Sequence, residues 1–412
     1  MGAREEARAL IGRIALSVGA AAIALLVVRS GQGPRDVRAA GAGSTCAALT
    51  GSVNGRDARG IDPRSPNPLV GLRFFVSPDE PSVDDQRRYL RKGQTRKARL
   101  IGRLASRPKF KWVGRFTKPG AVQKLLDRAQ CQQPGAVPEL VTLRHQGKAC
   151  NPHYQAGGTA EDEASRAWYR NFASEVGSAR VVIAFEPDSL GTIQCLARDR
   201  RRARQDLLRY GVDVLSRLPN ATVYLEGTAS DWKSPRYTAR MLRYIGIDKV
   251  RGFMLNVTHY DWTASNIRYG LRVSRLVGGK PFIVSTAYNG RGPVHYLVGR
   301  PHHKRRVNVY CNPRFRGLGP APTTDTGNPK VDAFLWVNRP GVSGAGGCNG
   351  APAKAGTWWP SRALMFARYA TDWLRPPRHT RFGLRAHVSL CRLGAPVGSG
   401  YSRVAPERRC GR

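Results

Sequence analysis

Eight short, nearly unbroken apolar runs, most separated by stretches of helical periodicity, constrain this chain more than any other feature. They cover residues 71–76, 110–113, 140–143, 181–185, 222–225, 252–257, 282–285 and 333–337. A strand that is apolar at consecutive positions has both faces buried, which marks a parallel sheet covered by helices. Helical patterns occupy 84–104, 159–176, 199–218 and 261–277. In the third of these, Leu207, Leu208, Val212, Leu215 and Leu218 fall at helical spacing. Thr159 and Asp162 supply start signals for the second. The alternation predicts an α/β architecture. Seven or eight such repeats in a single domain favour a closed parallel β/α barrel, although periodicity alone does not exclude an open sheet.

The 412 residues suffice for one barrel-sized domain or two ordinary ones. Residues 1–13 are charged, 14–28 are apolar, and Arg29 follows. Fifteen residues are short for a membrane span, which needs about 20. The run fits a signal-peptide core, with Ala40-Gly-Ala42 as a cleavage site, and an uncleaved anchor is the alternative. The segment is therefore expected to engage the membrane or the export machinery, leaving the protein secreted or membrane-anchored outside the cell. Eight cysteines in an exported chain suggest disulfides. No Cys-x-x-Cys pair is present, which argues against zinc. The net charge of +40 raises nucleic acid as a partner. The arginines are spread along the chain, however, with the densest runs at 198–204 and 302–306, and no nucleic-acid-binding motif focuses them. A solvated basic surface, or affinity for an anionic envelope polymer, is the favoured reading. The expected division is 1–45 leader and linker, 46–376 barrel, and 377–412 a Gly/Pro/Arg-rich tail stapled by disulfide.

In a barrel of this type the chemistry sits where strands end. The residues after the apolar runs include Ser77-Pro-Asp79, Arg144-His-Gln146, Glu186-Pro-Asp188, Glu226, Thr258-His-Tyr-Asp261, Asn289-Gly-Arg291 and Asn338-Arg339. Glu186-Pro-Asp188 is the sharpest of these. Pro187 fixes a bend, and a carboxyl at an apolar rim should have the raised pKa a general acid needs. On pattern alone, a helix cap or an arginine partner is an equally good account. Aromatic residues in or beside these loops, with Trp112 and Trp232 foremost, suit the stacking of sugar rings, while Trp336 reads as core.

The chain from about Asn67 to Trp373 resembles glycoside hydrolase family 6, the secreted cellulases. The resemblance is carried by Asn67-Pro-Leu-Val-Gly-Leu-Arg-Phe-Phe-Val-Ser-Pro-Asp79, by the segment 181–190, by Gly252-Phe-Met-Leu-Asn-Val257 and by Ser285-Thr-Ala-Tyr-Asn-Gly290. Cys311-Asn-Pro-Arg-Phe-Arg-Gly-Leu-Gly-Pro320, Val331-Asp-Ala-Phe-Leu-Trp-Val337 and Arg339-Pro-Gly341 complete it. It implies a distorted seven- to eight-stranded parallel β/α barrel in a single domain, and inverting hydrolysis of a β-1,4-glucan by a monomer. It implies no metal or cofactor. Asp188 falls on the proton donor, with Glu226 as an auxiliary carboxylate. Trp112, Gln155, Trp232, Asn256, Tyr310 and Asn338 fall on substrate-binding positions. Cys150 with Cys195, and Cys311 with Cys348, fall on the family disulfides.

The departures are specific. The aspartate expected before Cys150 is Ala149, and the catalytic base of the family falls on Gly344. The lysine position is Asn338 and the glutamate position is Val342. An inverting enzyme needs a base on the face opposite its acid, so Glu226, Asp231 and Asp261 become candidates for that role. The alternatives to a glucanase are a glycan-binding barrel without hydrolysis and, well behind, a basic nucleic-acid binder.

Overall fold

The continuous apolar runs become strands because each is buried on two sides. In the computed structural model, which describes residues 66–144, 159–298, 305–344 and 347–377, the elements run as follows. First come α1 (Pro81–Arg91), α2 (Thr95–Ala105), β1 (Lys111–Gly114), α3 (Ala121–Gln132), β2 (Glu139–Leu143), α4 (Thr159–Val176), β3 (Val181–Phe185), α5 (Ser189–Thr192) and α6 (Arg198–Leu215). Then come β4 (Ala221–Glu226), α7 (Pro235–Ile245), β5 (Gly252–Leu255), α8 (Thr263–Leu276), β6 (Phe282–Ser285), β7 (His295–Val298), β8 (Arg305–Asn308), β9 (Val331–Leu335) and α9 (Pro360–Arg368).

Seven strands form one parallel sheet in the order β1-β2-β3-β4-β5-β6-β9. In register, Ile183 lies between Leu140 and Val223. Odd-numbered residues of β3 (Val181, Ile183 and Phe185) pack outward against Tyr169 of α4 and Leu208 and Val212 of α6. Even-numbered Val182 and Ala184 face inward with Val141, Tyr224, Met254 and Ile283. Both faces are thus apolar, and each buried side chain of this size contributes about 1.5–3 kcal/mol.

The sheet curls without closing by a ladder. Among the described residues, β1 and β9 share no strand pairing, and the join is made by Phe110 N–H to Trp336 O (3.4 Å) and Trp112 Nε1–H to Val337 O (2.9 Å). The architecture is a seven-stranded curled half-barrel in one domain. The run 71–76, expected as an opening strand, is reduced to a single parallel bridge between Phe74 and Val137. The helix expected over 84–104 is two helices. Gly93, at φ +64°, turns the chain between them, a conformation that costs glycine little. Trp336 lies one residue beyond β9 and is core as expected, 3% exposed, with its Nε1–H on Pro320 O. The antiparallel β7–β8 hairpin was not expected, and it takes in Arg305 and Arg306 of the basic run.

Cys311 and Cys348 are joined by a disulfide. Cys131 and Cys195 are also disulfide-bonded, but the implied partner Cys150 lies outside the described residues, as do Cys46, Cys391 and Cys410. The leader 1–45 and nearly all of the tail 377–412 lie outside them too. No helix among the described residues is long and apolar enough to cross a membrane.

Candidate active site

Four of the seven left-handed non-glycine residues in the described chain lie at the C-terminal rim of the sheet. Glu186 (φ 51°) and Asp188 (φ 68°) follow β3, Thr228 (φ 62°) follows β4, and Asn256 (φ 66°) follows β5. Such conformations cost of order 1–3 kcal/mol each and persist only where the surroundings hold them. Here they do. Thr228 N–H donates to Glu226 Oε1 at 2.9 Å, and the Thr228 hydroxyl joins those of Thr238 (3.1 Å) and Tyr269 (2.9 Å). Asn256 Nδ2 donates to Asp261 O and Ser285 O, both at 3.1 Å.

The two carboxylates of Glu186-Pro-Asp188 part company. Glu186 is fully buried, and its Oε1 accepts from Arg144 N–H at 2.8 Å. It belongs to the scaffold. Asp188 opens the short helix α5, yet its side chain does not cap it. Instead Asp188 Oδ1 accepts from Thr258 Oγ1 at 2.5 Å, a charge-assisted distance. The Asp188 carboxyl is held above the usual carboxylate range by its burial, against a smaller opposing pull from the Thr258 hydrogen bond and the His259 ring. Glu226, beneath it and 4% exposed, is pushed well above the usual range by burial and then by the neighbouring Asp188. The backbone N–H groups of Thr228, Asp188 and Ser189 offset this in part. Two acids close enough to feel each other's charge, the deeper one desolvated, both have their proton affinity raised.

Beside this pair lies a polar and aromatic cluster. His259 Nδ1 meets Asp231 Oδ1 at 2.7 Å, and Asn308 Nδ2 donates to Asp231 Oδ2 at 2.5 Å and to the Tyr310 hydroxyl at 3.1 Å. The His259 ring stacks on Trp232, with centroids 4.8 Å apart, and tilts against Tyr310 at 4.3 Å. The benzo ring of Trp232 also rests on Gly191, where a Cβ would meet its carbons at 2.1–2.4 Å. Trp232 is therefore half-buried between Gly191 and His259 and does not stand free in a groove. Asp261 Oδ2 accepts from Ser230 Oγ (2.5 Å) and Oδ1 from Trp262 N–H (2.8 Å).

Asn256, 2% exposed, lies below the rim. Asn338 Nδ2 donates to Val257 O at 3.0 Å, and Asn338 Oδ1 accepts from Arg339 N–H. The Arg339 guanidinium lies 5.8 Å from the ring centre of half-buried Trp112. Gly344 is exposed, with its N–H on Asn312 Oδ1 at 3.0 Å. Gln155 and Ala149 lie outside the described residues. The structure thus assembles Asp188, Glu226, Asp231, Asp261, Trp232 and Tyr310 at one rim. It adds Thr258 and His259, which the sequence marked only as part of the segment following the sixth apolar run.

The sequence profile of the glycosyl hydrolases family 6 matches residues 69–370. The chain belongs to this family. It is 32% identical over 308 residues to Endoglucanase A of Cellulomonas fimi, covering 74% of this chain and 62% of that protein. It is 30% identical over 277 residues to Endoglucanase 1 of Streptomyces sp. (strain KSM-9), covering 64% and 72%. The chain therefore spans less than two thirds of the length of the Cellulomonas relative.

Among solved family 6 structures, the endoglucanase Cel6 from Mycobacterium tuberculosis, in complex with methyl-cellobiosyl-4-deoxy-4-thio-β-D-cellobioside, superposes with a TM-score of 0.64. It is 33% identical, and the match covers 74% of this chain and 99% of that one. Endoglucanase CEL6B from Humicola insolens shares the fold at a TM-score of 0.64 and 20% identity, with 75% and 100% covered. In this chain β3, which leads into Asp188, lies inside the sheet between β2 and β4.

Proposed function

We propose that this family 6 chain hydrolyses a β-1,4-linked glucan with inversion at the anomeric carbon, and that Asp188 is the general acid. One observation carries the reading. Asp188 is a half-buried carboxyl at the rim, held in a left-handed turn by Thr258, and burial raises its proton affinity. A raised proton affinity is the shift that suits a carboxyl to protonate a leaving oxygen. Glu226 supports it from below. If it ionised there, its negative charge would keep the proton on Asp188. Trp112 and Tyr310 offer ring faces for sugars and Asn338 a polar contact, and Gln155 is the further polar contact that the family resemblance implies. We further propose that the protein acts outside the cell, released or tethered by its apolar N-terminal segment.

A second reading, a glycan-binding barrel without hydrolysis, is favoured by Ala149 and Gly344, which leave the usual base positions without an ionisable group. The two readings separate in one experiment, in which the purified protein is incubated with cellooligosaccharides and the products are resolved by chromatography. Shortened oligosaccharides from wild type, and at least 10²-fold less from Asp188→Asn, are expected. Binding without products supports the second reading. Equal products from both proteins rule out Asp188 as the acid.

A further inference from the structure

An inverting hydrolase must have a base, and the rim carboxylates do not supply one. Asp188 is the acid. Glu226 is buried beneath it. Both oxygens of Asp261 take donors, Oδ2 from Ser230 on the loop after β4 and Oδ1 from the neighbouring Trp262 amide. Asp231 is held between His259 and Asn308. The segments outside the described residues that interrupt the barrel, 145–158, 299–304 and 345–346, contain no aspartate or glutamate.

Among the described residues of this rim, His259 is a further group able to accept a proton. Its Nδ1 faces the Asp231 carboxylate at 2.7 Å, so a neutral ring donates from Nδ1 and presents Nε2 as the acceptor. Among the described residues Nε2 has no hydrogen-bond partner. Stacking on Trp232 and contact with Tyr310 set the plane of the ring. Asn308 holds Asp231 from the other side. His259 directly follows Thr258, the residue that grips Asp188.

We propose that the Asp231–His259 pair is the catalytic base of this site, replacing the carboxylate that Gly344 lacks. The proposal rests on the hydrolase reading above. A water oxygen bonds to the anomeric carbon as one of its protons passes to His259 Nε2. The glycosidic C–O bond breaks on the opposite face, and the leaving oxygen takes the proton of Asp188. The imidazolium is stabilised by Asp231 until solvent removes its proton, and Asp188 is reprotonated from solvent. Asp231 is a positioning residue and His259 the catalytic one.

The test uses the full chain with two substrates, cellohexaose and a dinitrophenyl β-cellobioside, whose leaving group needs no acid. His259→Asn should lower kcat about 10²–10⁴-fold on both substrates, whereas Asp188→Asn should lower it strongly only on cellohexaose. Sodium azide should restore turnover of the aryl substrate by His259→Asn and yield the inverted glycosyl azide. Asp231→Asn should lower kcat at least tenfold with KM little changed.

Gly344 has room for a side chain, since the nearest atom to a Cβ there is Asn312 Oδ1 at 3.6 Å. Gly344→Asp should therefore restore activity to His259→Asn. If His259→Asn retains wild-type kcat while Asp188→Asn loses it, the base assignment is overturned and the hydrolase reading stands. If His259→Asn is folded by circular dichroism but is rescued by neither azide nor Gly344→Asp, the ring is structural and the assignment is again overturned. Wild type inert on both substrates overturns both readings.

Discussion

Thr258→Val removes the donor that grips Asp188 while keeping the shape of the side chain. The bond measures 2.5 Å, and its acceptor is a carboxylate on a half-buried residue. Hydrogen bonds to charged groups are worth about 1.5–3 kcal/mol. A pKa unit corresponds to about 1.36 kcal/mol of differential stabilisation. The hydroxyl favours the ionised form of Asp188 and therefore lowers its pKa, in opposition to burial. Its removal should therefore raise the pKa of Asp188 further. A general acid must carry its proton, so the basic limb of kcat/KM against pH should move to higher pH. The assay is initial-rate hydrolysis of a cellooligosaccharide across the pH range. On an aryl substrate that needs no acid, the limb should not follow Asp188. A basic limb on the oligosaccharide that stays in place or moves to lower pH refutes the assignment of Asp188 as the acid held by Thr258.

Two further predictions concern stability. Glu139 begins β2, is 4% exposed, and burial pushes its pKa from 4.5 up to about 8, against a smaller lowering by Lys109. Between these values the folded protein holds a proton that the unfolded chain has lost. The Glu139 contribution is thus fully present below about pH 4.5 and declines by roughly 1.4 kcal/mol per pH unit as pH rises towards 8. Glu139→Gln should flatten that slope in urea midpoints measured across the window, and an unchanged slope would show that the carboxyl is not desolvated. Cys348→Ser opens the disulfide to Cys311, which spans a sequence separation of 37. The chain-entropy argument puts the loss at about 4 kcal/mol, visible as a lower melting temperature. An unchanged Tm would mean that the unfolded chain is not restrained by this link.

Much of the scaffold was legible in the sequence. Runs such as Val181–Phe185 are apolar at every position because one parity packs on α4 and α6 and the other fills the half-barrel. That double burial writes itself directly into composition. The run 71–76 misled because a strand also needs a neighbour along its length, and only Phe74 finds one. The segment 84–104 misled because helical spacing continues across Gly93, and the reversal there depends on packing α2 against α9. The position of Asp188 was legible as the end of an apolar run.

The division of labour between the two carboxyl groups was not legible. Glu186 and Asp188 stand two residues apart in the same kind of sequence, and only the fold sends one to the Arg144 amide and the other to Thr258. His259 and Asp231 lie 28 residues apart on loops after different strands, and no spacing rule connects them. The sequence by itself determined the parallel α/β scaffold, the rim that carries the candidate site and the absence of ionisable groups at 149 and 344, because burial and residue identity are local properties. The tertiary structure alone decided which side chains meet at that rim. Contacts between loops depend on how the strands curl, and a curled sheet brings distant residues together without leaving a period in the chain.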